Sequence, residues 1–190
     1  MGSGSESATD VELLRRIAGG DTRAVAELYD RHARMLMALS LRIVRERSEA
    51  EDVVHDAFVV VGERAAQYIP ERGAVGAWLV TLVRNLSIDR TRRRDRRGAI
   101  TRDVLAHDPE ATAAATPLDP ETEAASAAER ERVRRALASL PDVQRATLET
   151  AFYEGLTYAE IAEREGVPLG TIKSRAARAL TALRQALGKE

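Results

Sequence analysis

Apolar residues recur along this chain at helical spacing in a series of stretches punctuated by glycine, proline or charged runs. Thr9 and Glu12 form a possible capping box, opening a short helix that stops at Gly19-Gly20. A second helix starts near Asp21 or Thr22, with Val25, Leu28, Tyr29, Leu36, Leu39 and Ile43 at helical intervals. The third runs from about Glu49 to Tyr68 and carries Ala50, Val53, Val54, Ala57, Phe58, Val61 and Ala65 on one stripe. A loop, 69–73, holds Pro70 and Gly73. The fourth begins near Val75 and turns Trp78, Leu79, Leu82, Val83 and Leu86 inward, ending near Arg97.

The most strongly punctuated stretch is 156–187. Thr157 N-caps a helix with Glu160 closing a capping box, and Leu156 and Ile161 stand at hydrophobic-staple positions. Gly166 supplies a permissive turn, and Pro168 suits the first turn of the next helix. Ala162, Gly166 and Ile172 give the crossing residue, the turn and the aliphatic plug of a helix-turn-helix. From Pro168 to Leu187 there is no acid, against Lys173, Arg175, Arg178 and Arg184, so a duplex groove is the natural partner. Ile172, Ala176 and Leu180 are expected to face inward. Two further helices, about 129–140 and 142–154, offer Val133, Leu137, Leu140, Val143 and Phe152 to pack on this motif.

Between 98 and 128 the helical pattern is lost. Pro109, Pro117 and Pro120 appear, and one arginine faces six acids. This stretch reads as a flexible acidic linker. The Gly/Ser-rich residues 1–8 read as a disordered tail. The expected architecture is therefore all-α: a four-helix domain over 9–97, the linker over 98–128, and a helix-turn-helix domain over 129–190.

Composition narrows the function. Hydrophobic residues make up 44% but aromatics only 4%, so the cores are aliphatic. The absence of cysteine excludes a disulfide scaffold and cysteine-ligated zinc. No apolar run is long enough to span a membrane and no signal peptide is evident, so a cytoplasmic protein is expected. His32, His55 and His107 lack metal-ligand spacing, and no serine–histidine–acid set suggests nucleophilic catalysis. Neither a cofactor nor an enzymatic activity is expected.

A net charge of −1 conceals two cationic regions. Besides the second helix of the helix-turn-helix, seven arginines (84, 90, 92, 93, 94, 96 and 97) against Asp89 and Asp95 give +5 over 84–97. Asn85, Asp89, Arg92 and Arg93 share a helical face. Two readings fit this cluster equally: a surface that reads bases beside a phosphate-binding rim, or a solvated helix end with dipole-favoured arginines.

Four segments together resemble the extracytoplasmic-function sigma factors of bacterial transcription: AVAELYDRHARMLMALSLRIV at 24–44, SEAEDVVHDAFVVVGERA at 48–65, AWLVTLVRNLSIDRTRRR at 77–94, and the stretch from Leu140 to Leu180. The resemblance implies that the first domain binds core RNA polymerase. Its third helix would meet the polymerase clamp through Glu51, Asp52, His55, Asp56 and Glu63, an acidic face suited to a basic partner. The loop 68–73, with Tyr68, and the face of Asn85, Asp89, Arg92 and Arg93 would melt the −10 element and capture a flipped base. In the second domain Tyr158, Thr171, Lys173, Ser174, Arg175 and Arg178 would read the −35 element as duplex. Lys173 and Ser174 are assigned to bases, and Arg175 and Arg178 to phosphates.

The resemblance further implies contact with the polymerase flap, a linker threaded through the polymerase cleft, and an anti-sigma factor as regulator. Gly62 departs from the usual large residue at its position, and Ala177 is smaller than in some relatives. The competing function is a free-standing helix-turn-helix repressor or activator. That reading leaves the arginine cluster and the acidic helix without a role.

Overall fold

The computed structural model describes residues 3–98, 128 and 131–188, and every regular element among them is helical. The described residues fall into two compact units, 3–98 and 128–188. The expected linker, with its acids and His107, lies outside the described residues.

The first unit contains four helices: α1 (Ser3–Ala18), α2 (Thr22–Val44), α3 (Arg47–Arg64) and α4 (Val75–Gly98). Helix α1 starts six residues earlier than the sequence suggested, so Thr9 lies inside it and is not its cap. Asp21 caps α2 by accepting from the Arg23 amide at 2.9 Å. Arg16 reaches back to the same carboxylate at 2.8 Å, tying the end of α1 to the start of α2.

Helix α3 follows α2 after a left-handed residue, Arg45. Its cap is Glu46, whose carboxylate accepts from the amides of Ser48 and Glu49 at 3.0 and 2.7 Å. These bonds, the Ser48 side chain first, hold the Glu46 carboxyl below its ordinary range. All seven apolar positions expected on the α3 stripe are buried. Leu13, Leu14, Leu28, Leu36, Val44, Leu79 and Val83 complete the core around them.

Some inward assignments shift. Tyr29 is 43% exposed, with its ring edge-on to Phe58 at 4.9 Å between centroids. On α4 the fully buried side chains are Val75, Leu79, Val83 and Ser87, while Trp78, Leu82 and Leu86 flank the core half-buried. Ser87 donates to Ser40 at 3.1 Å, a small polar contact that lets α4 approach α2.

The second unit contains a helix over 131–138 (α5), α6 (Asp142–Glu149), a π-helical turn (Thr150–Glu154), α7 (Tyr158–Glu165) and α8 (Leu169–Leu187). Thr157 and Glu160 form the expected capping box: the Glu160 amide donates to Thr157 Oγ1 at 3.2 Å, and the Thr157 amide to Glu160 Oε2 at 2.6 Å. Gly166 takes φ 66°, a left-handed conformation that strains any side-chain-bearing residue. Pro168 sits one residue earlier than expected, as the N-cap of α8. Its carbonyl accepts from the Thr171 amide at 2.8 Å. Ile161, Ala162 and Ile172 form the centre of the motif, with Leu156, Tyr158 and Val167 against them.

Three of the apolar residues expected to pack here are instead exposed: Val133 at 37%, Val143 at 54% and Phe152 at 38%. Ala136, Leu140 and Thr147 take the inward positions. At about 100° per residue Phe152 lies about 140° from the buried Thr147, so helical phase already places it on the outer side, where its ring meets Tyr153 edge-on at 5.0 Å. On α8, Leu180 is 40% exposed and Ala179 is buried. At about 100° per residue, position 179 returns to within about 20° of Ile172, whereas 180 lies about 80° beyond it.

Candidate nucleic-acid interface

The loop between α3 and α4 closes on itself. After α3 the chain makes a short turn (Ala65–Gln67) and then a second one (Pro70–Arg72). Pro70 fits the first position of that turn, which needs no amide donor. Gly73 follows with φ 131°, a conformation reserved for glycine. The Tyr68 hydroxyl donates to the Gly73 carbonyl at 2.7 Å across the loop.

This closure leaves a cleft of about 250 Å³ between the loop and the first two turns of α4. Tyr68 and Trp78 form two of its walls, with ring centroids 5.7 Å apart and planes inclined by 54°. Gln67, Arg72 and Thr81 supply its polar groups. Burial, then the negative charges of Asp10 and Glu71, push the Tyr68 phenol above its ordinary range, so it stays a neutral donor. Aromatic walls, amide and guanidinium groups, and an open side suit a planar, hydrogen-bonding ligand such as an unpaired base.

Further along α4, Asn85, Asp89, Arg92 and Arg93 are all exposed, as their shared helical phase requires. None of them lines the cleft. Thr81, one turn before Asn85, is the α4 residue that links the cleft to this face. Arg84 donates to Asn85 Oδ1 at 3.2 Å. Burial, then the charge of Arg92, lowers the Arg84 guanidinium from its ordinary value, which marks a crowded cationic surface. Two arginines of the cluster are bound elsewhere. Arg90 pairs with Asp52 at 2.6 Å, and Arg94 donates to the Val44 carbonyl at 2.8 Å and pairs with Glu49 at 3.2 Å. They brace α4 against the start of α3. Arg93 and Arg96 remain on the exposed side.

On α3, Glu51, Asp52, His55, Asp56 and Glu63 are all exposed. Their charge is partly compensated within the chain, because Glu51 pairs with Arg47 at 2.9 Å and Asp52 with Arg90. Gly62 faces open space on the same helix.

The second unit exposes Lys173, Ala177 and Arg178 on α8, with Thr171 half-buried. Two other sequence-selected residues are engaged inside the fold. The Ser174 hydroxyl donates to the Thr171 carbonyl at 2.9 Å. Arg175 pairs with Glu165 of α7 at 2.7 Å, with the two side chains 22% and 34% exposed. Arg175 therefore joins the two helices of the motif. Tyr158 is half-buried against the motif's core.

Residues 28–97 match the family profile "Sigma-70 region 2", and residues 130–183 match "Sigma-70, region 4". The chain is 36% identical to the ECF RNA polymerase sigma factor SigK of Mycolicibacterium vanbaalenii over 181 residues, covering 93% of this chain and 88% of that protein. It is 33% identical to SigK of Mycobacterium tuberculosis, covering 92% and 91% of the two chains. The chain belongs to the extracytoplasmic-function family of RNA polymerase sigma factors. Among solved structures it is similar to Rhodobacter sphaeroides SigE in complex with the anti-sigma ChrR, at 34% identity and a TM-score of 0.44, covering 93% of this chain and 96% of that one.

In this sigma factor the region 2 match takes in the cleft and the α4 face, and the region 4 match takes in the helix-turn-helix. Both candidate DNA surfaces thus lie inside matched regions, while α1 lies outside them. A free-standing helix-turn-helix regulator would leave the region 2 match unaccounted for. Sequence reasoning missed Gln67, Trp78 and Thr81 as cleft residues, while Arg72 falls within the loop 68–73 that the resemblance had selected. The one available signal was the aromatic pair Tyr68 and Trp78 flanking a Pro/Gly loop. No helix among the described residues is long and apolar enough to cross a membrane.

Proposed function

We propose that the chain binds core RNA polymerase, directs it to specific promoters and helps open them, with the work divided between its two units. The observation that carries this reading is the aromatic-walled cleft at the head of α4, continuous along the same helix with an arginine-rich face. A duplex reader needs no such cleft. A protein that holds one strand open needs a pocket for an unstacked base and cations beside it for the backbone.

Tyr68 and Trp78 are assigned to the flipped base, with Arg72, Gln67 and Thr81 as the polar groups that select it. Asn85, Asp89, Arg92 and Arg93 are assigned to the adjoining −10 DNA. Glu51, Asp52, His55 and Asp56 are assigned to a basic surface of the polymerase clamp. On α8, Lys173 is assigned to base edges and Arg178 to phosphate, with Thr171 and Tyr158 at the rim of the −35 contact. Ser174 stays assigned to base edges, since its bond to Thr171 is a back-bond within α8, whereas the pair of Arg175 with Glu165 favours a role in bracing α8 against α7 over phosphate contact. Membership of the sigma-factor family supports an anti-sigma factor as regulator, and the cytoplasm is assigned as the site of action because polymerase and promoter are found there.

The reading is tested with footprinting and permanganate reactivity on one promoter fragment. Core polymerase plus the chain should protect two separated elements and expose reactive thymines near the start site. Tight, local protection of duplex by the chain alone, without opening when polymerase is added, would favour a free-standing regulator.

A further inference from the structure

Helix α1 lies outside the region 2 match, yet it carries the one buried carboxylate among the described residues. Asp10 is 6% exposed. Both of its oxygens are held by neighbouring residues of α2: Arg31 Nη1 donates to Oδ1 at 2.9 Å, and His32 Nε2 lies 2.7 Å from Oδ2. The His32 side chain is 16% exposed. Its far edge meets the first turn of α4, where a Cβ built on Gly76 would sit 3.6 Å from His32 Cε1 and 4.0 Å from Nδ1. One carboxylate thus links α1, α2 and the start of α4. Ala74, Ala77 and Trp78, on either side of Gly76, line the cleft.

A buried ion pair is a poor source of stability, because desolvation offsets most of the attraction. Its consistent effect is geometric. Arg31 is also held by Glu27 at 2.7 Å, so α2 presents a fixed pair of donors to Asp10. The His32 ring then has little freedom, and a methyl at position 76 would stand in ordinary van der Waals contact with it, so the first turn of α4 starts directly beside the ring.

We propose that Asp10 is a positioning residue for promoter opening: through His32 it sets the first turn of α4, and with it the placement of Trp78 against Tyr68 in the cleft lining. This inference rests on the base-capture reading of the cleft. The partner it serves is the unpaired strand, and neither Asp10 nor His32 touches that strand.

The test uses the full chain bound to core polymerase and measures capture of a single-stranded oligonucleotide carrying the promoter's melted element, labelled with 2-aminopurine. Asp10→Asn, Trp78→Ala and the double variant are compared with the parent, alongside affinity for core polymerase. Asp10→Asn should leave polymerase affinity within about twofold and weaken strand capture about three- to tenfold, the scale of one misplaced hydrogen bond. In the Trp78→Ala background the same substitution should have little further effect, because the wall it positions is gone. Equal, fully additive losses in both backgrounds, or no loss from Asp10→Asn while Trp78→Ala impairs capture, would overturn the proposal and leave base capture standing. No loss from Trp78→Ala would instead remove the base-capture reading itself, and the proposal with it. If Asp10→Asn melts below the assay temperature, His32→Gln carries the same test, since it keeps a donor for Asp10 but alters the surface against Gly76. Its losses should again be non-additive with Trp78→Ala, and additivity would overturn the proposal.

Discussion

The helix-turn-helix rests on very few side chains, so truncating its plug should have a large and local effect. Ile172 is fully buried between α7 and α8, against Ile161 and Ala162. Replacing it with alanine removes three carbons, about 2.4 kcal/mol at 0.8 kcal/mol per buried methylene. The cavity left behind brings the expected cost to about 2–5 kcal/mol. A unit of about 60 residues, at 0.05–0.15 kcal/mol per residue, has only about 3–9 kcal/mol in total. Ile172→Ala should therefore consume much of the stability of the second unit, whereas Ile172→Val should cost only about 0.5–1.5 kcal/mol. Circular dichroism melting of the full chain would show an early loss of part of the helical signal, with the transition of the first unit unchanged. Footprinting should lose the upstream element before the downstream one. An Ile172→Ala chain that melts like the parent would refute the assignment of Ile172 as the plug.

Other consequences are independent of that core. Gly62 has ordinary helical surroundings and open space around it, so Gly62→Ala should stabilise the first unit by about 0.5–1 kcal/mol, read as a higher denaturant midpoint; a lower midpoint would show that the glycine is needed. Lys173→Ala should cost about 1–3 kcal/mol of promoter affinity and relax preference at one base pair, whereas Arg178→Ala should weaken all sequences alike and reduce the salt slope; exchange of these two outcomes would reverse the assignments. Burial raises the Asp10 carboxyl, but bonds from His32 and Arg31 and their charges more than offset this, leaving it below its ordinary value. Its contribution to stability is therefore present above the ordinary aspartate range, near pH 4, and is lost as pH falls through the lower folded value. Acid titration of stability should show this slope in the parent and a shallower one in Asp10→Asn; equal slopes would place the titration elsewhere.

The sequence carried local information well and cross-element information poorly. Thr157, Glu160 and Gly166 act within a few residues of one another, so spacing alone announced the capping box and the turn. The α3 stripe was equally legible, since a regular helix fixes which residues share a face. Phase errors appeared where apolar residues were listed without fixing which of them share a face: Phe152 lies about 140° from the buried Thr147, and Leu180 about 80° from Ile172. The pairings Asp10–His32, Glu165–Arg175 and Asp52–Arg90 join different helices, and no periodicity encodes them. They also engage side chains that charge alone leaves open, since Arg175, expected at phosphate, and Arg90, a member of the arginine cluster, both brace neighbouring helices. The cleft was hidden for a similar reason. Tyr68 and Trp78 were each visible, but the loop geometry that brings their tilted rings together depends on the Tyr68–Gly73 bond and on how α4 starts.

The central claim is that this chain confers promoter specificity on a polymerase that lacks it. Runoff transcription from a panel of candidate promoters, with core RNA polymerase in the presence and absence of the chain, tests it most directly. The account predicts transcripts of defined length only when both are present, and their loss on Trp78→Ala. Promoter-independent transcription unchanged by the chain, together with tight operator binding by the chain alone, would contradict it.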